Sequence, residues 1–172
     1  MTLHIVLIGL PGSGKSTVGR LVAETLGAPL VDIDAIVTRR EGRPIQIIFA
    51  ERGEAAFREL EKQEMEAALA GPPSVIAPGG GWAAQPDALG SLQGRALVVY
   101  LKTRPDSAAA RAAPQGNRPT LMGEDTTVQM RQLLREREPF YVQADAVVET
   151  DRSKPPEVAA AVVRLARSRG AW

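Results

Sequence analysis

Apolar residues occur in short runs along the chain, and stretches with helical periodicity separate these runs. The runs cover residues 3–8, 30–33, 74–77, 96–101 and 146–149. β-rich runs that alternate with helical patterns predict βαβ crossovers, in which a parallel sheet is covered by helices on both faces. We therefore predict a single α/β domain over residues 1–172, a three-layer α/β/α sandwich with a five-stranded parallel sheet. Prolines predict helix starts at Pro86, Pro105 and Pro155.

Two segments interrupt this alternation of strands and helices. Residues 34–70 carry apolar positions at helical spacing, with breaks at Gly42–Pro44 and at Gly53. The segment contains more helix than a crossover needs, so we predict that it builds a substrate pocket. Residues 112–125 are rich in proline and glycine and have no apolar period, which predicts a loop that acts as a functional lid.

A glycine-rich stretch, residues 9–17, follows the first apolar run and precedes the first helical pattern. It fits G-x-x-x-x-G-K-[ST], the phosphate-binding P-loop. In that motif Lys15 reaches the outer phosphates and the Ser16 hydroxyl binds Mg²⁺. The alternative is a glycine-rich turn that matches by chance, which the strand-before, helix-after context disfavours. The stretch therefore predicts a nucleoside triphosphate site.

The composition narrows the class of protein. The chain has 172 residues, 44% apolar and 24% charged, which is typical of a globular domain. Its net charge of +1 gives no argument for nucleic-acid or membrane partners, and it has no cysteine for disulfides or thiolate metal sites. The single histidine, His4, lies in the first predicted strand, where we expect a structural role. No signal peptide or membrane-spanning run is apparent, so we expect a cytoplasmic protein.

Two aspartates end the second predicted strand, in the sequence Asp32-Ile33-Asp34. Residues i and i+2 of a strand point the same way, and open parallel sheets bind ligands at the carboxyl ends of their strands. One carboxylate would then serve Mg²⁺, and the other would accept a hydrogen bond from a substrate hydroxyl. The alternative is a helix N-cap, a role that Asp34 fits.

Several arginines are candidates for binding anions. Arg58 and Glu61 are i, i+3 neighbours, either as a surface pair or as an arginine held ready for an anionic substrate. Arg118 lies in the predicted lid and can close over phosphates. Arg135 and Arg137 follow on a helical segment that we expect Pro139 to interrupt. Spacing alone does not choose between these two arginines, and a plain basic helix face is the alternative.

Three consecutive glycines, Gly79, Gly80 and Gly81, follow the third predicted strand. Because they lack a Cβ atom, they allow a ligand to approach the backbone closely. The alternative is a flexible turn. Their place at the carboxyl end of a central strand favours a binding site.

Taken together, these motifs resemble the shikimate kinase family over nearly the whole chain. The motif elements are residues 9–17, Asp32-x-Asp34, Ile45-x-x-Ile48-Phe49, Phe57-Arg58-x-x-Glu61, Gly79-Gly80-Gly81, Arg118-Pro119 and Arg137-Glu138-Pro139-Phe140-Tyr141. The resemblance implies a P-loop fold of the nucleoside-monophosphate-kinase type. It also implies phosphorylation of shikimate by ATP to give shikimate 3-phosphate and ADP, a step of aromatic amino-acid biosynthesis, with Mg²⁺ as cofactor. We expect a monomer.

The resemblance further implies a role for individual residues. The substrate-binding set is Asp34, Phe49, Phe57, Arg58, Gly79, Gly80, Gly81 and Arg137. The nucleotide-binding set is Gly12, Ser13, Gly14, Lys15, Ser16, Thr17, Arg111, Arg118 and Arg152. The catalytic set is Lys15, Asp34 and Arg118, and the metal set is Ser16 with Asp32, the latter acting through water. By the same resemblance Arg137, and not Arg135, is the substrate arginine.

Two residues depart from the commonest pattern of the shikimate kinase family. Trp82 and Thr120 stand where smaller or aliphatic residues are usual, so they bear on pocket shape and lid closure.

Three other functions compete with phosphorylation of shikimate. They are those of a gluconate kinase, of another small-molecule kinase and of a non-catalytic nucleotide-binding relative. The Phe-Arg-x-x-Glu motif combined with three glycines favours shikimate. A nucleotide kinase is disfavoured because the chain has no segment of the D-G-[FY]-P-R type.

Overall fold

Strands and helices alternate along the chain. The computed structural model describes residues 1–112 and 126–172. The strands are β1 (His4–Ile8), β2 (Leu30–Asp32), β3 (Val75–Ala77), β4 (Ala96–Lys102) and β5 (Ala146–Glu149). The α-helices are α1 (Lys15–Leu26), α2 (Ile33–Glu41), α3 (Ile45–Ala70), α4 (Pro105–Ala112), α5 (Thr126–Tyr141) and α6 (Pro155–Ser168). Short 3₁₀ helices span Trp82–Ala84 and Gly90–Leu92.

The five strands form one sheet in the order β2-β3-β1-β4-β5, and every neighbouring pair is parallel. The strand β1 lies at the centre, with Ile5 opposite Val75 of β3 and opposite Leu97 of β4. All carboxyl ends therefore meet at one edge, where the P-loop, the paired aspartates and the glycine triplet follow β1, β2 and β3. The predicted five-stranded parallel α/β fold is confirmed.

The sheet separates two hydrophobic cores, as the alternation of side chains along β1 requires. Val6 and Ile8 belong to one core, which α2, α3, α4 and α5 cover. Ile5 and Leu7 belong to the other, which α1 and α6 cover. These four side chains of β1 are at most 1% exposed, so burial on both faces explains why this strand reads as a continuous apolar run.

The helices between β2 and β3 form the predicted extra segment. Gly42 ends α2 in a left-handed conformation, with φ 65° and ψ 22°. Gly53 has φ 83° and ψ 172° and therefore breaks α3 into two arms. Phe49 and Phe57 pack across this break, with ring centroids 4.8 Å apart. Both glycine breaks were predicted, because only glycine adopts such angles without strain.

Three local predictions are wrong. The prolines at 105 and 155 begin α4 and α6, but Pro86 begins no helix and lies between the two 3₁₀ helices. Pro139 does not interrupt α5, which continues to Tyr141. A proline near the end of a helix removes few backbone hydrogen bonds, and Val142 still donates to the Glu138 carbonyl at 3.0 Å. The third concerns β2, which ends at Asp32, so Asp34 belongs to α2 and not to the end of the strand.

His4 lies at the opposite edge of the sheet from these loops. Its ring is buried, and Nδ1 lies 3.1 Å from the Ser74 hydroxyl and 3.2 Å from the Ser74 amide nitrogen. Burial lowers its pKa and so favours the neutral form of the ring. In the described part of the chain, no helix is both long enough and apolar enough to cross a membrane.

Candidate active site

The P-loop connects β1 to α1 through a tightly packed turn. Gly9, Gly12 and Gly14 have φ of 152°, 78° and 92°, which other residues rarely adopt. A Cβ atom on Gly12 would collide with the carbonyl oxygen of Ala108, so α4 packs directly on the loop. Gly14 is the N-cap of α1 and has no side chain to satisfy the first amides of the helix. Those amides remain available to an anion.

Lys15, the first residue of α1, is buried within the loop. Its ammonium donates to the carbonyls of Gly9 and Leu10, both at 2.9 Å. A cavity of about 80 Å³ opens beside it, and Ser16, Asp32 and Asp34 also line that cavity. The structure thus places a cation and two carboxylates around the N-terminus of α1, as a site for phosphates and a metal ion requires.

The two aspartates occupy the junction between β2 and α2. Asp32 is both the last residue of β2 and the N-cap of α2, where it accepts from the Ala35 amide at 3.2 Å. The N-cap is therefore Asp32 and not Asp34, and the two are not i and i+2 neighbours within one strand, as the sequence had predicted. Asp34 instead lies in the first turn of α2, and that turn brings its carboxylate to the cavity.

Ser16 and Asp32 contact each other across the cavity. The Ser16 hydroxyl donates to Asp32 Oδ2 at 2.7 Å. A hydroxyl and a carboxylate are the oxygen ligands that Mg²⁺ prefers. The described residues contain no cluster of three or more His, Cys, Asp or Glu side chains that would hold a metal alone. This donor set fits an ion that takes its remaining ligands from phosphates and water.

Arg58 projects from the second arm of α3 and is held by carboxylates. Its Nη1 donates to Glu61 Oε1 at 2.8 Å, and Nη2 lies 3.3 Å from the exposed Glu54. Glu61 is fully buried, and burial raises the pKa of its carboxyl to about 7 although the Arg58 guanidinium acts to lower it. The Phe57 ring lies behind the guanidinium, 5.3 Å from Cζ. Arg58 is thus a fixed cation rather than half of a surface pair.

Arg137 enters the same region from α5. It is 8% exposed, whereas Arg135 is exposed to solvent. Its Nη1 is buried and has no hydrogen-bond partner among the described residues. A buried guanidinium nitrogen without a partner is costly, and an anionic ligand would satisfy it. The distinction between the two arginines, which spacing did not make, therefore follows from burial.

The glycine triplet brings these groups together because its residues have no side chains. A Cβ atom on Gly79 would lie 2.7 Å from Glu61 Oε2 and 3.1 Å from Asp34 Oδ1. One on Gly80 would lie 2.8 Å from the Pro11 ring of the P-loop. One on Gly81 would collide with Arg58 Nη2 and lie 3.0 Å from Arg137 Nη2. The triplet therefore acts as a packed junction and not as a flexible turn.

Comparison with known proteins gives one consistent result. The family model described as shikimate kinase matches residues 11–167. The shikimate kinase of Symbiobacterium thermophilum is 41% identical over 171 residues, or 98% of each chain, and that of Mycobacterium avium is 43% identical over 98% of this chain and 94% of its own. A solved structure of shikimate kinase from Acinetobacter baumannii in complex with shikimate has a TM-score of 0.93 at 34% identity, covering 98% of this chain and 95% of that one. The chain belongs to the shikimate kinase family.

Membership of the shikimate kinase family confirms the resemblance inferred from the motifs. Shikimate kinases are ATP-using phosphotransferases, so the chain is an enzyme of the kinase class. The fold agrees, because the P-loop stands at the carboxyl end of the central strand. The family match assigns no role to individual residues, and those roles depend on where each residue lies in the structure.

Two predicted nucleotide-binding residues beyond the P-loop, Arg111 and Arg152, lie on α4, which packs on the loop, and on the connection after β5. Arg111 is exposed near the end of α4, one turn beyond the Ala108 carbonyl that contacts Gly12. Arg152 is exposed in the connection after β5. The neighbouring Asp151 accepts from the Arg104 amide at 3.0 Å and so ties this connection to the start of α4. Both arginines therefore stay predictions for the nucleoside side of the shikimate kinase site.

Other predicted residues lie beside this group or outside the described residues. Phe57 is buried beside Arg58 and Phe49 packs on it, and the substrate-binding role of both stays a prediction. Trp82 is buried in the core at the start of a 3₁₀ helix. The predicted lid over residues 112–125, with Arg118 and Thr120, lies outside the described residues apart from its first position.

The sequence did not reveal the part played by Tyr141. Its hydroxyl donates to the Gly80 carbonyl at 2.5 Å, a link between positions 61 residues apart. The resemblance included this tyrosine in a motif but gave it no role. The available signal was its spacing from Arg137, because residues at i and i+4 of a helix are neighbours.

Proposed function

We propose that this member of the shikimate kinase family transfers the γ-phosphoryl group of ATP to a hydroxyl of shikimate, giving shikimate 3-phosphate and ADP. One observation carries the proposal: Arg58 and Arg137 converge on Gly81, beside a carboxylate and the P-loop. Two guanidinium groups suit a carboxylate, and Asp34 suits a hydroxyl group. Shikimate carries both groups on one small ring.

The reaction depends on positioning. The acceptor hydroxyl oxygen forms a bond to the γ-phosphorus while the bond from that phosphorus to the β,γ-bridging oxygen breaks, leaving ADP. Asp34 orients the hydroxyl and takes its proton late in the step, as the new bond forms. Lys15 leaves its loop carbonyls to stabilise the charge that develops on the phosphates. Arg58 and Arg137 hold the carboxylate, which fixes the orientation of the ring.

Ser16 and Asp32 would hold Mg²⁺ at the phosphates, Asp32 through a water molecule. The ion would supply positive charge against the β- and γ-phosphate oxygens. The protein's own contribution is the 2.7 Å contact that fixes the hydroxyl and the carboxylate beside the first turn of α1. We propose Gly12, Ser13, Gly14 and Thr17 as the phosphate cradle, and Arg111 with Arg152 on the nucleoside side.

The remaining parts of the proposal concern the whole chain. Residues 34–70 act as the acceptor-binding segment of a single kinase domain, because α2 and α3 contribute Asp34 and Arg58. The protein works as a monomer in the cytoplasm, the compartment that supplies ATP and Mg²⁺. Shikimate, ATP and the metal ion are its partners.

An acceptor panel tests the activity. The purified protein with ATP and Mg²⁺ should release ADP with shikimate, and far more slowly with gluconate or nucleoside monophosphates. A panel without preference for shikimate would overturn the proposal. Arg137→Ala should raise the KM for shikimate about tenfold or more through loss of a charge-assisted contact. Arg135→Ala is the matched control on the exposed face of α5 and should leave that KM unchanged.

A further inference from the structure

The Arg58 guanidinium is bound by two carboxylates in very different surroundings. Its Nη1 donates to Glu61 Oε1 at 2.8 Å, and the Glu61 side chain is fully buried. Its Nε and Nη2 both contact one oxygen of Glu54, at 3.4 and 3.3 Å. The Glu54 side chain is 61% exposed, so it can swing into solvent, whereas Glu61 has no such freedom. One carboxylate therefore fixes Arg58, and the other is exchangeable.

The exchangeable contact involves the nitrogen of Arg58 that faces the acceptor site. A Cβ atom on Gly81 would collide with Arg58 Nη2 and lie 3.0 Å from Arg137 Nη2, so these two nitrogens approach the same place. A ligand carboxylate that engages both arginines there comes close to the carboxylate of Glu54. Two carboxylates at one guanidinium repel each other, and Glu54 is the one that can move away.

Arg137 differs from Arg58 in this respect. Its Nη1 is buried and has no hydrogen-bond partner among the described residues. A ligand carboxylate therefore satisfies an open donor at Arg137, whereas at Arg58 it replaces a contact that already exists. The free energy gained at the two arginines is thus unequal, and Glu54 sets the difference.

We infer that Glu54 is an internal competitor of the acceptor: its carboxylate binds Arg58 while the site is empty and gives way when the carboxylate of shikimate arrives. The inference rests on the proposed function, because it takes that carboxylate as the ligand of Arg58. Phosphorylation of a hydroxyl leaves the carboxylate unchanged, so the product displaces Glu54 as well, and Glu54 returns when the product leaves. The residue thereby lowers the affinity for acceptor and product alike.

The sign of this effect follows from the other contacts of Arg58. Glu61 and the Phe57 ring, 5.3 Å from Arg58 Cζ, keep the guanidinium in place without help from Glu54. The Glu54 contacts are longer than the about 2.7–2.9 Å that is usual for charge-assisted hydrogen bonds. Exposed ion pairs between residues four apart on a helix are weak, so removing the Glu54 charge should tighten shikimate binding about two- to fivefold.

Glu54→Gln, with Glu59→Gln as the matched control, tests this inference. Both changes remove one negative charge from the exposed side of α3. The Glu59 carboxylate, however, accepts from Gln63 at 3.2 Å, and adjacent residues of a helix do not face each other, so Glu59 leaves Arg58 alone. Dissociation constants are measured by calorimetry for shikimate, shikimate 3-phosphate, the methyl ester of shikimate and ATP.

The expected result is a gain that depends on the ligand's carboxylate. Glu54→Gln should tighten shikimate and shikimate 3-phosphate about two- to fivefold. The gain should be smaller for the methyl ester, which carries no charge at that position, and the affinity for ATP should not change. Glu59→Gln should leave all four dissociation constants unchanged.

The outcomes separate this inference from the proposed function. If Glu54→Gln weakens shikimate, leaves it unchanged or tightens the ester equally, the competitor role is overturned while the kinase assignment stands. If Glu59→Gln gives the same gain, the cause is the charge of the surface and not the contact with Arg58, and the role of Glu54 is overturned again. A wild-type protein that does not phosphorylate shikimate overturns the proposed function and this inference with it.

Discussion

Replacing Gly81 by alanine should damage the acceptor site while leaving the fold nearly intact. Gly81 has φ −89° and ψ −7°, a right-handed conformation that alanine adopts without strain, so the whole effect comes from the added methyl group. That methyl would overlap Arg58 Nη2 and lie 3.0 Å from Arg137 Nη2. Both atoms are the ends of flexible side chains, so the guanidinium groups move and the backbone stays.

The size of the effect follows from the contacts that Arg58 would lose. Restoring a normal separation of about 3.5 Å from the new carbon carries the guanidinium away from its place. The 2.8 Å bond to Glu61 and the alignment with Arg137 then fail together. The displaced guanidinium also loses its proposed charge-assisted hydrogen bond to the acceptor carboxylate, which contributes about 1.5–3 kcal/mol, so acceptor affinity should fall about 10- to 100-fold. The affinity for ATP should stay within about twofold, because the atoms nearest to the methyl group belong to Arg58 and Arg137 and not to the P-loop.

Calorimetric titration of shikimate and of ATP into Gly81→Ala measures both effects. Gly90→Ala is the control, because a Cβ atom there meets nothing within 4 Å and the residue lies in the other 3₁₀ helix. Wild-type affinity for shikimate in Gly81→Ala would refute the reasoning, since two guanidinium groups would then not depend on the missing side chain. Equal losses for shikimate and ATP would refute it as well, because they would indicate a general loss of structure.

Three further predictions concern single side chains. Arg58→Ala should raise the KM for shikimate about tenfold or more with little change in ATP affinity, as steady-state assays can show. Ser16→Ala should raise the Mg²⁺ concentration needed for half-maximal activity, measured by metal titration at saturating ATP. Glu61→Gln should flatten the pH dependence of the free energy of unfolding. Burial raises the pKa of Glu61 from 4.5 to about 7. The stabilisation that comes from this raised pKa is therefore complete below pH 4.5 and is lost as the pH rises through 7.

Each of these predictions has an outcome that contradicts it. Arg58→Ala with equal losses of shikimate and ATP binding would indicate a folding defect or a wrong role. An unchanged metal requirement in Ser16→Ala would remove the hydroxyl from the proposed Mg²⁺ site. For Glu61, the shift corresponds to ~3 kcal/mol between the two pH limits. Denaturant unfolding at pH 5 and pH 8 should show that the free energy of unfolding changes between these pH values by an amount of that order more in wild type than in Glu61→Gln. Equal changes in the two proteins would contradict the raised pKa of this buried carboxyl.

The parts of the molecule that could be predicted from sequence are those set by local chemistry. The apolar runs gave five strands, and Gly42 and Gly53 gave the helix breaks, because positive φ angles demand glycine there. The P-loop was predictable because its chemistry depends on a contiguous segment. Pro86 shows the limit of this logic: a proline is compatible with a helix start but does not create one.

The parts that could not be predicted depend on contacts between distant segments. Spacing could not separate Arg135 from Arg137, since the choice depends on which face of α5 is buried. The pairing of Tyr141 with the Gly80 carbonyl joins segments that share no local pattern. Asp34 fitted the alternative role of N-cap because it precedes a helical pattern, whereas the helix begins one residue after Asp32, where the strand ends.

The junction at Asp32 has a consequence for how the enzyme can vary in length. This residue belongs to β2, caps α2 and contacts Ser16 at once, with no connecting loop between strand and helix. An inserted or deleted residue there would rotate Asp34 about the helix axis by roughly 100° and turn it away from the phosphates. The turn at Gly42, in contrast, is open to solvent and has no neighbour within 4 Å of a built Cβ atom. Insertions and deletions should therefore be tolerated between α2 and α3 and not between β2 and α2.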